Sequence, residues 1–313
     1  MDSTNGSSLR LDLLLSSVRG LREWRALALL LLGGLLWALL IAGLGALTRS
    51  RVGAVIGLIV GALFWFAAYL GAGRIFMARA RGDASHYRML AALKEGIGLL
   101  PRGIGVVLML IAAGVAVGIV EALVFLLCKI PYLGPVLYFF LQPAGIVVAA
   151  VTGFALWVMS LLAMPAVWDG RGAVEAIRTA WTSLRRDPGE VGFLLLALLV
   201  LVGMVSTVIT GILLAGAFFS MGIGAGVTAG AGGYAAAYPG AYSAFPGLAT
   251  LGVGPSYLPG MLFGWIVTWI LISLLPAGML LQGQALIYAS LSKPEPLAAP
   301  QTSHAGGTPA AGS

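Results

Sequence analysis

The sequence predicts an all-α, polytopic membrane protein: six transmembrane helices in three hairpins, each hairpin preceded by a cytoplasmic interfacial amphipathic helix. Three observations predict it. No charged side chain occurs between Lys129 and Asp169, or between Glu190 and Lys293. The chain as a whole is 60% hydrophobic and 9% charged, a composition that water would aggregate and that lipid requires. The remaining charges gather in gaps between the apolar runs, and those gaps are basic.

Six stretches supply the roughly 20 apolar residues that a crossing of the hydrocarbon needs: 26–47, 52–73, 103–128, 133–164, 191–220 and 260–290. The first follows Asp2, Asp12 and Glu23 and is longer than a signal-peptide core, so it reads as a retained helix. It is joined to the second by Thr48-Arg49-Ser50-Arg51 alone, a tight hairpin. The run 130–168 contains Pro131, Pro135, Pro143 and Pro165. It reads as one span started by Pro135 and kinked at Pro143, with a short re-entrant start near 130–136 as an alternative. Residues 221–259 are rich in Gly and Ala, with Tyr234, Tyr238, Tyr242 and Tyr257. Such irregular backbone finds no partners in lipid, so it is expected as an extracytoplasmic loop with its tyrosines at headgroup level. The expected organisation is thus a cytoplasmic amphipathic segment (1–25), a membrane domain (26–292) and a disordered cytoplasmic tail (293–313).

Orientation follows from the cations. Of 18 Lys and Arg, all but Arg49, Arg51 and Lys129 fall in the N-terminal segment, the even-numbered loops or the tail. The positive-inside rule then puts both termini in the cytoplasm. It also favours one span over two in 130–168, since two would place Arg171, Arg178, Arg185 and Arg186 outside.

Each hairpin is preceded by a basic stretch with helical periodicity. The first, 9–25, carries Leu14, Val18 and Leu21 on one face. The second, 84–100, carries Met89, Leu90, Leu93, Ile97 and Leu100. The third, 172–186, carries Val174, Ile177, Trp181 and Leu184. The later two share Arg81-Gly82 and Arg171-Gly172, then Arg88 and Arg178, then Pro101 and Pro188 before each span. The pattern suggests a threefold repeat of interfacial helix plus hairpin. Arg88, Lys94, Arg178, Arg185 and Arg186 are its candidate contacts with lipid headgroups. A net charge of +7 placed beside apolar spans points to anionic lipid rather than nucleic acid.

The third unit carries a resemblance. Met164-Pro165-Ala166-Val167-Trp168-Asp169, followed by Glu175-Ala176-Ile177-Arg178-Thr179-Ala180-Trp181 and Leu184-Arg185-Arg186, resembles uncharacterised bacterial and archaeal six-helix membrane proteins. These are grouped with the glycerophosphoryl diester phosphodiesterase membrane domain. Ile130-Pro131-Tyr132-Leu133-Gly134-Pro135 is similar to that family's entry to the fourth span. Ala180 stands where the family often has serine. The resemblance implies a multi-pass protein of a prokaryotic cytoplasmic (inner) membrane. The family's enzymatic name comes from fusions to a catalytic domain, which is not expected within these 313 residues, so no activity is implied.

Candidate chemistry is sparse. Glu121 is the one ionisable residue well inside a span, and intramembrane carboxylates usually mark function. At ~1.5 Å per residue it lies roughly 27 Å from Gly103, near the outer interface, within reach of headgroups or of Arg49 and Arg51. Gln142, Gln282 and Gln284 are the other polar candidates; interhelical hydrogen bonds account for them. Pro143 and Pro276 lie beside them, and broken helices line sites in transporters. Glycine stripes at Gly53, Gly57 and Gly61, and at Gly114 and Gly118, fit helix packing first and a dimer face second. Asp169-Gly170-Arg171-Gly172-Ala173 echoes the start of a membrane CDP-alcohol phosphotransferase motif, but Val174 replaces its arginine and the later aspartates are missing. Gly224-x-Gly226-x-x-Ala229 has no preceding strand to make it a dinucleotide loop. Cys128 alone forms no internal disulfide, and two histidines, His86 and His304, exclude histidine-rich metal chemistry. No cofactor, metal or catalytic residue is expected. The expected function is structural or lipid- or partner-interacting, with a membrane-protein partner or a second copy of the chain as candidate companions. The alternative is a small transporter or channel using the Pro-broken fourth and sixth spans.

Overall fold

The computed structural model describes residues 17–18, 22–48, 51–82, 88–130, 132–186, 188–228 and 258–292. Among them every regular element is helical: α1 (Trp24–Thr48), α2 (Arg51–Ala80), α3 (Met89–Leu126), a 3-10 turn (Leu127–Lys129), α4 (Gly134–Trp168), α5 (Ala173–Arg186), α6 (Pro188–Thr228) and α7 (Leu258–Leu291). All but α5 are long and apolar enough to cross a membrane, which makes six candidate spans. The run after Lys129 forms one helix, with Pro135 in its first turn and Pro143 and Pro165 inside it. Its entry is a reversal through Tyr132, at φ 65°, closed by the Gly134 amide donating to the Ile130 carbonyl at 2.7 Å.

Several boundaries differ from expectation. The basic segment 84–100 and the third span are not separate: α3 runs unbroken from Met89 through Pro101 to Leu126. The reason is tertiary. Ala92, Gly96, Leu99, Gly103 and Val106 are buried in one stripe that continues across the proline, so packing against α2 outweighs the missing hydrogen bond. The third copy does split, because α5 ends at Arg186 and Pro188 opens α6. The glycines with positive φ are Gly82 and Gly170, so the second and third copies also part company at their turns. The expected loop begins late, since α6 continues to Thr228, and α7 begins at Leu258. Residues 229–257, the tail, Arg49 and most of the first amphipathic segment lie outside the described residues.

Of the predicted amphipathic faces, Met89, Leu93 and Leu100 of α3 and Ile177 and Leu184 of α5 pack against the core. On the same faces Leu90, Ile97, Val174 and Trp181 are exposed. What α5 buries is Ala176 and Ala180. The small residues make the closest contacts, as expected where helix association depends on close backbone approach.

Glycines make that approach. The α2 stripe lies against α1: a Cβ on Gly61 would stand 2.5 Å from the Trp37 ring, and one on Gly57 would collide with the Leu40 carbonyl. This stripe is therefore used within the chain. On α3, Gly114 faces Leu156 of α4, whereas a Cβ on Gly118 would meet nothing within 4 Å. Gly96 sets α3 directly on the α2 backbone at Ala67 and Gly71.

The core is concentrated at one end of the molecule. It holds Leu70, Ile75, Phe76 and Met77 of α2, Val167 and Trp168 of α4, and Leu194 and Leu198 of α6, with Leu281 of α7. At the other end Val120 of α3, Phe139 of α4 and Ile212 of α6 are exposed. Gly96→Ala is expected to destabilise the protein by about 1–3 kcal/mol, because the added methyl meets backbone that cannot move aside. Gly98→Ala, with nothing within 4 Å, is expected to be neutral or slightly stabilising. Thermal unfolding of the two variants in detergent checks this; equal midpoints would contradict the close crossing.

Candidate functional site

The most structured polar feature is the turn between α4 and α5. Here α4 must end at the edge of the apolar layer, leaving carbonyls without partners. Gly170, at φ 94°, permits a Schellman closure. The Arg171 amide donates to the Ala166 carbonyl at 3.1 Å and the Gly170 amide to Val167 at 2.9 Å. Two carbonyls beyond these are taken by arginines from other helices. Arg74 of α2 donates to the Trp168 carbonyl at 2.6 Å, and Arg102 of α3 donates to the Gly170 carbonyl at 2.6 Å. Cations belong at a helix C-terminus, where the backbone dipoles leave partial negative charge.

Asp169, at the cap, adds a full negative charge with its side chain only 9% exposed. Arg81, just past the end of α2, forms an ion pair with its Oδ1. Arg171 lies 3.8 Å from Oδ2, and the Tyr288 hydroxyl of α7 donates to the same oxygen at 3.3 Å. Arg171 also donates to Thr179 Oγ1 at 2.9 Å, reaches Glu175 at 3.5 Å, and lies 5.9 Å over the Tyr288 ring. Arg74 completes its contacts on Glu95 of α3 at 2.9 Å. Beside this cluster Arg79 pairs with Glu23, tying the start of α1 to the end of α2. Five helices, α2, α3, α4, α5 and α7, therefore meet through one polar cluster.

Beneath the cluster sits Trp168, fully buried. Its ring packs edge-on to Tyr69 at 5.8 Å and fills the space a Cβ on Gly73 would need. The α5 helix is held above it by its alanine face. Its outer face presents Val174, Arg178, Trp181 and Arg185, with the Arg185 guanidinium 4.5 Å over the Trp181 ring. That combination of indole and guanidinium is typical of headgroup-level surfaces.

The sequence-named residues fall in three places. Arg88, Lys94, Arg178, Arg185 and Arg186 are all exposed, the first two on or beside α3 and the rest on α5. Glu121 reaches across to α4, where its Oε1 would stand 2.5 Å from a Cβ on Gly145, and Gln142 lies one turn from that glycine. No ion pair of Glu121 occurs among the described residues. Gln282 and Gln284 are buried in α7 with each Oε1 lacking a hydrogen-bond partner. Glu121 is 19 residues along α3 from Arg102, roughly 28 Å away from the arginine cluster. The structure thus does not assemble the four polar candidates into one site. Sequence reasoning overlooked Arg74, Arg81, Arg102, Asp169 and Tyr288 as a group. Their signal was present only as charges crowding the ends of spans.

Asp169→Asn is expected to cost about 1.5–3 kcal/mol, the range for hydrogen bonds to charged groups, since two arginines would lose their anion. Glu175→Gln, at a largely exposed pair, is expected to change stability by less than about 0.5 kcal/mol. Unfolding midpoints in detergent check the contrast, and an unchanged midpoint for Asp169→Asn would refute the role given to this carboxylate. Compared with protein-family models, curated proteins and solved structures, the chain matches none.

Proposed function

We propose that this protein is a non-catalytic component of a prokaryotic cytoplasmic membrane that binds anionic lipid headgroups on its cytoplasmic side and organises bilayer or partner proteins there. In this reading α1–α2, α3–α4 and α6–α7 are the three hairpins and both termini are cytoplasmic. The basic stretches before the second and third hairpins lie at headgroup level, the second as the first turns of α3. The family resemblance of the α4–α5 segment is consistent with such a membrane domain.

The observation that carries the proposal is the outer face of α5. A 14-residue helix is anchored by the Asp169 cluster at the end of six apolar helices, and it offers Arg178, Arg185 and Trp181 outward. Basic residues at an anionic surface contribute about 1 kcal/mol each. The transport alternative draws on Gln142 and Gln284, but the groove between α1, α2 and α7 has neither in its lining.

Replacing both Arg178 and Arg185 with Gln is expected to lower the affinity for phosphatidylglycerol by roughly tenfold or more, two charges at about 1 kcal/mol each. Phosphatidylcholine retention is expected to stay the same. Native mass spectrometry of the protein in mixed micelles measures both, and an unaltered lipid preference would defeat the proposal. Selective solute uptake by proteoliposomes would defeat it independently, in favour of transport.

A further inference from the structure

Glu121 stands apart from the arginine cluster, inside the candidate span that ends at Lys129. It precedes the exposed Lys129 by eight residues, which sets it roughly 12 Å deeper along the helix. Side chains lean toward the N-terminus of their helix, which on α3 means away from Lys129. The Glu121 carboxylate accordingly lies against α4 at Gly145, where a Cβ would stand 2.5 Å from Oε1 and 3.1 Å from the Phe125 ring. Gly145 is itself 11 residues past the start of α4 at Gly134, a further sign of depth. Among the described residues Glu121 has neither an ion pair nor a hydrogen bond through its side chain. Carboxylates within membrane spans pair with a cation or serve a site.

Depth and charge choose the cation. The ammonium of a lipid stays at headgroup level, above this carboxylate. A metal ion needs several oxygen ligands, and no group of three His, Cys, Asp or Glu suited to one occurs among the described residues. A second copy brings no cation to this depth either, because the runs 26–48, 52–73, 103–128, 130–170 and 187–292 contain no Lys or Arg. What remains is a Lys or Arg carried by the transmembrane helix of another protein. The flank of α3 beside Glu121 admits one. Gly118 and Ala122 are exposed there, and a Cβ on Gly118 would meet nothing within 4 Å. Small residues at this spacing let a second helix backbone approach closely.

We propose that Glu121 anchors a partner protein: it pairs with a lysine or arginine of that protein's transmembrane helix, seated on Gly118 and Ala122. The site is separate from the α5 face and does not depend on lipid headgroup charge. The test uses the full chain in phosphatidylcholine vesicles with a synthetic polyleucine transmembrane peptide bearing one lysine at the depth of Glu121. Energy transfer between labels on the two reads their association. The lysine peptide is expected to bind roughly tenfold more tightly than an all-leucine control, and Glu121→Gln is expected to abolish the difference. Gly118→Leu keeps the carboxylate and is expected to weaken binding of the lysine peptide by about tenfold, with the unfolding midpoint unchanged. A lysine preference that survives Glu121→Gln, or binding indifferent to Gly118→Leu, would overturn the proposal. Loss of the preference when phosphatidylethanolamine replaces part of the phosphatidylcholine would assign the carboxylate to a headgroup instead. Glu121-dependent transfer between two labelled copies of the chain would assign it to self-association, and either result overturns the partner site.

Discussion

The C-terminus of α4 governs how the molecule is assembled. A helix ending at the edge of an apolar layer presents carbonyls and, here, a carboxylate only 9% exposed. Unpaired, each such group costs about 1–3 kcal/mol, and more when charged. The chain meets that requirement with arginines from elsewhere: Arg74 and Arg102 on the carbonyls, Arg81 and Arg171 on Asp169. Each guanidinium fixes the height of its own helix relative to α4. Tyr288 does the same for α7. Apolar packing between helices tolerates sliding by a turn; a set of directed bonds converging on one cap does not. The buried residues Phe76, Trp168, Leu194 and Leu198 belong to one packed core.

Lipid as the solvent explains which parts of this structure the sequence announces. The six spans are legible because length and apolarity are demanded of any crossing helix, and one crossing after Lys129 follows from counting cations. The packed faces are legible only in part. In water, the large apolar side of an amphipathic helix is its buried side. In hydrocarbon that preference vanishes, and close approach favours Ala and Gly. Hence α3 buries Ala92 and Gly96 while Leu90 and Ile97 face outward, and α5 buries Ala176 and Ala180 while Val174 and Trp181 do.

The polar cluster was hidden for a different reason. Arg74 and the Trp168 carbonyl are 94 positions apart, and Tyr288 and Asp169 are 119 apart. Periodicity and spacing carry information about one helix at a time, so they cannot pair cations with carbonyls across the bundle. The charge count places Arg74, Arg81, Arg102 and Asp169 on the same side of the membrane, and no more. Likewise the continuity of α3 through Pro101 depends on a stripe buried by α2, which no local rule contains.

An end fastened by polar bonds and an end facing lipid divide the labour within each helix. Near the cluster, positions are fixed to within a hydrogen bond, and α5 is held there as a rigid platform for Arg178, Trp181 and Arg185. Farther along, the helices keep large side chains outward and few partners inward, so their mutual spacing rests on shape alone. The groove arises at the junction of these regimes. Gly34 and Gly278 allow α1 and α7 to touch, but Trp37, Trp65 and Trp269 are too large to interdigitate beside that contact and leave a slot between the helices. A slot at hydrocarbon depth loses dispersion contacts if it stays empty.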